Sequence, residues 1–212
     1  MNRSGARIEV FFDCSSPWTY LAFENLQPMA AELGAAIVWR PILVGGVFNS
    51  VNPRVYETRA APVPAKARYM RKDLRDWARV AGLEIKFPPT VFPVNSVKAM
   101  RACLVVEPEG KLVALARAVF QAYWSEDQDI SDDAVLGAIC ARVGLGADVL
   151  ERAAAPEIKA KLKANTDELI ARGGFGSPTM FVGGDDMYFG NDRLELVRAA
   201  LTTGLDGVEA GR

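Results

Sequence analysis

Ser16 and Thr19 are the residues from which the chemistry of this chain is read. They lie in the run Phe12-Asp13-Cys14-Ser15-Ser16-Pro17-Trp18-Thr19-Tyr20-Leu21. Ile8, Val10 and Phe12 lead into it with the alternation of a half-buried strand. Leu21, Leu26, Met29, Ala30 and Leu33 follow at helical spacing until Gly34 stops the run. Ser16 is therefore expected as the N-cap and Pro17 as the first helical residue. A hydroxyl there stands beside unpaired backbone N–H groups and the positive end of a helix dipole. Such a place stabilises a small anion, a thiolate included. On the dipeptide alone, a helix cap without chemistry is the simpler reading.

Composition narrows what that hydroxyl can do. The chain has 212 residues, enough to bury a core as one domain or as one domain with a large insertion. With 25 basic and 26 acidic residues its net charge is -1, which gives no reason to expect nucleic acid or an anionic membrane as partner. No apolar run is long enough to span a bilayer, and Met1 to Ala6 does not read as a secretory signal. The 3 cysteines, Cys14, Cys103 and Cys140, form no CxxC pair, so a reducing, cytoplasmic setting is expected rather than a disulfide framework. Histidine is absent. That excludes a Ser-His-Asp triad, a Cys-His pair and most zinc sites. Acid–base work must come from carboxylates, hydroxyls, lysine, water or the substrate.

The elements around Ser16 follow in order. Arg7 to Asp13 reads as a strand, Pro17 to Leu33 as a helix, and Ala36 to Arg40, closed by Pro41, as a second strand. At these lengths they make a right-handed βαβ unit with parallel strands. Pro41 to Pro64 has no clear period and contains Gly45-Gly46, Asn49, Asn52-Pro53 and Pro62. It is expected as an irregular loop whose apolar residues (Ile42, Leu43, Val44, Val47, Phe48) wall a pocket. Met70, Leu74, Trp77 and Ala81 then mark a helix from Pro64 to Gly82. Lys66, Arg68, Arg71, Lys72 and Arg75 ride it as a solvated basic face or an anion site. Helices are further expected from Ser96 to Val106, from Leu112 to Tyr123, after the cap Ser131-Asp132-Asp133, from Ala147 to Ala154, and from Pro156 to Gly173. Gly176-Ser177-Pro178 leads into a hairpin of Thr179 to Val182 and Met187 to Phe189, turning at Gly183-Gly184-Asp185-Asp186. Gly190-Asn191-Asp192 opens a last helix.

The order is βαβ, then helices, then ββα, with the two ends assembling one four-stranded sheet. Residues 1–45 and 172–212 are expected as the sheet domain and 46–171 as an inserted helical domain. This frame resembles the thioredoxin superfamily, whose reactive sites often read Cys-Pro-Trp-Cys followed by Tyr and an aliphatic residue. Here Ser16-Pro17-Trp18-Thr19-Tyr20-Leu21 keeps the frame with both sulfurs replaced by hydroxyls. It cannot cycle a disulfide, so the sulfur is expected from a bound thiol. In that fold the X-Pro bond before the third strand is cis, which predicts a cis Ser177-Pro178 facing Ser16.

Among thioredoxin folds with a helical insertion, of the DsbA type, the chain is similar to the 2-hydroxychromene-2-carboxylate isomerase family, related to kappa-class glutathione transferases. The matching stretches are Phe12-Asp13 through Ser16-Pro17, Arg40-Pro41-Ile42-Leu43, Lys66 with Tyr69-Met70, Asn95-Ser96 through Met100-Arg101, Gly176 to Thr179 and Phe189 to Leu194. The resemblance implies a cytoplasmic homodimer in aromatic catabolism that takes glutathione as cofactor and a small aromatic substrate. By position, Ser16 is implied to contact the glutathione sulfur and Ser177-Pro178 to pair with its cysteinyl backbone. Asn191 and Asp192 are implied at the γ-glutamyl end, although Asp192 also suits a plain helix cap. Lys66 is implied near the glycyl carboxylate and Asn52 in the site wall, with Asn49 an equal rival. Cys14 departs from the pattern. At a strand end it is expected as a buried filler.

A free thiol of pKa about 8.5 needs a shift of about two units, roughly 2.7 kcal/mol, to be mostly thiolate at neutral pH. A hydroxyl donor and a helix N-terminus supply energies of that order. The implied reaction is reversible thiolate addition to the conjugated chromene, interconverting 2-hydroxychromene-2-carboxylate and trans-o-hydroxybenzylidenepyruvate. Lys66 or Arg68 is a candidate for the substrate carboxylate. The alternatives are a kappa-like glutathione transferase or peroxidase, a DsbA-like disulfide oxidoreductase, disfavoured for want of thiols, and a non-catalytic thioredoxin-fold binding module.

Overall fold

The computed structural model describes residues 6–203; Met1 to Gly5 and positions 204–212, with the leader expectation and the end of the sheet domain, lie outside the described residues. Strand β1 (Arg7–Phe12), helix α1 (Pro17–Leu33) and strand β2 (Ala36–Pro41) form the expected parallel βαβ unit. Near the other end, β3 (Thr179–Val182) and β4 (Asp186–Phe189) form a hairpin that adds to β1 antiparallel, giving the order β2-β1-β3-β4. Helix α10 (Leu194–Thr203) follows a short 3₁₀ turn at Asn191–Arg193.

Helix α1 starts and ends where its sequence predicts. Ser16 Oγ accepts the Thr19 N–H, and Gly34 closes the helix in the left-handed region at φ 64°. β1 departs from the half-buried expectation. Ile8, Val10 and Phe12 enter the main core, while Phe11 packs with Ile42, Val47, Leu169 and Phe181 on the opposite face. Both faces are covered, so apolar residues occupy consecutive positions.

The Pro41 to Pro64 stretch, expected as irregular, contains two helices, α2 (Val44–Val51) and α3 (Arg54–Ala60). Gly45 and Gly46 hid the first, because glycine counts against a helix in any local reading. Tertiary contacts override that preference. The Val44 N–H is held by Asp13 Oδ2 at 2.8 Å, and the Leu43 N–H by Thr166 Oγ1 at 3.1 Å.

The remaining helices follow their predicted periods. They are α4 (Pro64–Val80), α5 (Val97–Val106), α6 (Leu112–Phe120), α7 (Asp133–Arg142), α8 (Val149–Arg152) and α9 (Pro156–Ala171). α8 is shorter than expected, and α6 runs into one π-helical turn, Gln121–Ser125. One apolar cluster joins β1, β2 and α1 to α5 and α6. The Tyr20 ring stacks on Phe120 at 5.1 Å, and Phe12 meets Trp39 edge-on at 5.5 Å. The sheet segments and the helices between them thus share a core, and the reactive loop sits where they meet.

Candidate active site

The loop between β1 and α1 is fixed from all sides. The Ser15 N–H donates to Asp13 Oδ1 at 2.9 Å and the Ser16 N–H to the Asp13 carbonyl at 3.3 Å, a tight turn that delivers Ser16 to the start of α1. Behind it, the Cys14 N–H points at Met100 Sδ (3.4 Å) and the Cys14 carbonyl accepts from Trp124 Nε1 (2.9 Å). Met100 lies on α5 and Trp124 on the π turn after α6. The helical segment therefore holds the reactive loop from the rear.

Ser177-Pro178 is cis, as expected, and faces Ser16. Ser16 Oγ donates to the Ser177 carbonyl at 3.2 Å while accepting the Thr19 N–H at 3.2 Å. Ser177 Oγ accepts the Asp13 N–H at 3.1 Å and lies 2.8 Å from Thr19 Oγ1. Both hydroxyls that stand in the cysteine positions of the frame are thus bound to one serine.

Gly190, at φ 103°, lets its N–H reach the Pro178 carbonyl at 3.1 Å, which sets Asn191 and Asp192 next to the cis proline. Asn191 is buried; its Oδ1 accepts from Asn25 Nδ2 at 3.1 Å, and its Nδ2 is buried with no hydrogen-bond partner. Asp192 is exposed and pairs with Arg193 at 3.0 Å. Asn52, at the end of α2, donates to the Phe175 carbonyl at 3.3 Å, at the edge of the same loop. Asn49 is exposed on the same helix. Lys66 is exposed on the first turn of α4 and, among the described residues, its side chain forms no hydrogen bond or ion pair. Ser16, Asn52, Ser177, Pro178, Asn191 and Asp192 are linked through adjacent loops; Lys66 stands apart.

Asp13 is the buried charge of the site. The Ser15 and Val44 N–H groups donate to its two carboxylate oxygens, and the Ser96 hydroxyl lies near it. Burial raises its pKa against the pull of those donors. The Ser96 side chain makes no cap on α5, and Asn95 Oδ1 accepts the Val97 N–H at 3.0 Å instead. Cys14 is fully buried, and burial, with Cys103 and Asp13 nearby, pushes its thiol well above the ordinary range. It is a filler and not a nucleophile. A cavity of about 250 Å³ opens beside Ser15, between Val44 and Phe48 of α2, Arg59 of α3, and Phe92, with Asp13 at its buried end.

Sequence reading did not find Asn25, Ser96, Trp124 or Arg59. Asn25, Trp124 and Arg59 stand in no local motif for the site, and Ser96 lies in a matching stretch without an assigned role. Thr19 had a signal, its place in the Cys-Pro-Trp-Cys frame.

The sheet order, the cis proline and the N-cap hydroxyl define a thioredoxin-type protein with helices inserted between its two sheet halves. Residues 7–202 match the DSBA-like thioredoxin domain, and the chain belongs to that family. Within it the chain falls in the group that holds the 2-hydroxychromene-2-carboxylate isomerases and the kappa-class glutathione transferases. It is 30% identical to a 2-hydroxychromene-2-carboxylate isomerase of Sphingobium xenophagum over 201 residues, covering 92% of this chain and 97% of that one. It is 29% identical to glutathione S-transferase kappa 1 of Homo sapiens over 203 residues, covering 90% and 88%. A solved 2-hydroxychromene-2-carboxylate isomerase superposes with a TM-score of 0.77 at 26% identity, covering 92% of this chain and 94% of that one. No helix among the described residues is long and apolar enough to cross a membrane.

Proposed function

We propose that this chain is a glutathione-dependent isomerase interconverting 2-hydroxychromene-2-carboxylate and trans-o-hydroxybenzylidenepyruvate. The observation that carries the reading is the Ser16 hydroxyl at the N-terminus of α1, 3.2 Å from the cis-proline loop, with no thiol at either cysteine position of the frame.

The residues present fit glutathione. The buried Asn191 Nδ2 has no partner and sits beside the exposed Asp192 carboxylate, next to the cis proline. An unmatched amide donor and an exposed carboxylate, paired among the described residues only with the exposed Arg193, suit the carboxylate and ammonium of a γ-glutamyl group. Ser177 and Pro178 would hold the cysteinyl backbone and Asn52 the wall, while Lys66 on the first turn of α4 would meet the glycyl carboxylate only at the outer edge of the site. When bound, the thiol supplies a nucleophile that adds reversibly to the conjugated substrate and leaves again, without redox change.

The work of the chain is to orient and to hold charge. With glutathione bound, the Ser16 hydroxyl would donate to the sulfur in place of the Ser177 carbonyl, and that carbonyl would be available to a peptide N–H. The N-terminus of α1 adds its dipole to the same point. Asp13, held by the Ser15 and Val44 N–H groups, keeps the turn rigid.

A transferase reading is favoured by the nearly equal identity to the human kappa enzyme. The deciding experiment follows 2-hydroxychromene-2-carboxylate by absorbance, with and without glutathione, beside 1-chloro-2,4-dinitrobenzene conjugation. Glutathione-dependent isomerisation supports the first reading. Conjugation alone supports the second.

A further inference from the structure

We propose that Arg59 anchors the carboxylate of the substrate at the far end of the cavity beside Ser15, so that the site selects planar, conjugated carboxylates. The choice of substrate rests on the isomerase reading; the assignment of Arg59 rests on the cavity.

Two charged residues line that cavity, and they differ. Asp13 is fully buried with its two carboxylate oxygens occupied by the Ser15 and Val44 N–H groups. Its oxygens are already engaged within the protein, so it offers a ligand no partner. Arg59 is exposed, and among the described residues no carboxylate or carbonyl pairs with it. Its guanidinium carbon lies 5.6 Å from the Phe48 ring centroid and 5.7 Å from that of Phe92. Two rings on two different segments thus hold the side chain in place, which lowers the entropy lost when it engages a ligand. Contact with the rings leaves the N–H edge of the guanidinium available, and that edge matches a carboxylate with two parallel bonds.

The charge pattern also sets a direction. An anionic ligand places its carboxylate at Arg59 and away from Asp13, its flat body against Phe48, Phe92 and Val44, and its other end toward Ser15 and the neighbouring Ser16. A carboxylate conjugated to a flat ring system, with an electrophilic carbon along its length, meets all three demands. Lys66 and Arg68, the cations the sequence offered for this role, ride α4 and neither lines the cavity.

Calorimetric titration of trans-cinnamate and of its neutral isostere cinnamamide into wild type, Arg59→Met and Arg59→Lys tests the assignment without turnover. Wild type should bind cinnamate about tenfold more tightly than cinnamamide, the ratio expected of about 1.4 kcal/mol from one charge-assisted pair. Arg59→Met should lose that preference while holding cinnamamide as before, which also shows its cavity intact, and Arg59→Lys should keep part of it. A wild type without the preference, or an Arg59→Met that retains it, overturns the assignment. Preference lost in Arg59→Met, in a protein that turns over no chromene, would leave Arg59 in place and remove the isomerase reading. Chromene turnover with unchanged KM in Arg59→Met would do the reverse.

Discussion

Thr19 and Ser177 stand 158 residues apart in sequence, and their hydroxyl oxygens lie 2.8 Å apart in the fold. The same Ser177 gives its carbonyl to Ser16 and its Oγ to the Asp13 N–H. One residue of the cis-proline loop therefore ties together the end of β1 and the first turn of α1. In disulfide-cycling relatives of this frame the two positions carry sulfur. Here they carry hydroxyls committed to hydrogen bonds, which leaves the frame without a redox couple.

Ser16→Ala should lower glutathione-dependent turnover by about 10²-fold, the usual loss when one donor to a developing anion is removed. Thiolate absorbance against pH should place the bound thiol about one to two units higher than in wild type, the worth of a charge-assisted hydrogen bond. Loss of the cap should also cost about 1 kcal/mol of stability in urea unfolding. Unchanged turnover would remove Ser16 from the chemistry and leave it only the cap.

Ser177→Ala and Thr19→Val should each destabilise the fold by about 1–3 kcal/mol, because each strands a buried polar partner. The double variant should lose less than the sum, since the two remove one shared contact. Additive losses in denaturant unfolding would show that the 2.8 Å contact carries no coupling.

Glu9 offers a pH test. Burial raises its pKa, but hydrogen bonding and charge from Arg172, with Arg40 and Arg7 nearby, outweigh that and leave it below its ordinary value of 4.5. A lowered native pKa means stability that is present above 4.5 and lost as pH falls through the native value. Glu9→Gln should therefore be less stable than wild type at pH 7, and the two unfolding curves should converge in acid. A constant gap would mean that the loss is packing and not charge.

The cysteines should be silent. Cys14, Cys103 and Cys140 are all buried and unpaired, and burial raises each thiol. Ellman's reagent should label none of them in the native protein and all 3 in guanidinium. Rapid native labelling of Cys14, or reduction of insulin by the protein, would revive a thiol–disulfide role.

The sequence alone was enough to locate β1, α1, β2, the hairpin and the Ser16 cap, because each is specified within a few residues. Alternation, helical spacing, a proline at the first helical turn and Gly34 at the end are local physics. It also indicated the reactive frame, since Ser16-Pro17 and Ser177-Pro178 are legible one dipeptide at a time. What it could not determine is anything settled by contacts between distant residues. Gly45 and Gly46 disfavour a helix locally, yet α2 forms because Asp13 and Thr166 hold its first N–H groups. Ser96 opens its helix as read, but Asn95 supplies the side-chain cap, and Trp124, which no local motif marks, holds the Cys14 carbonyl. Arg59 is one exposed arginine among many in the sequence. Only the tertiary structure places it between two phenyl rings at a cavity whose other charge is buried and satisfied.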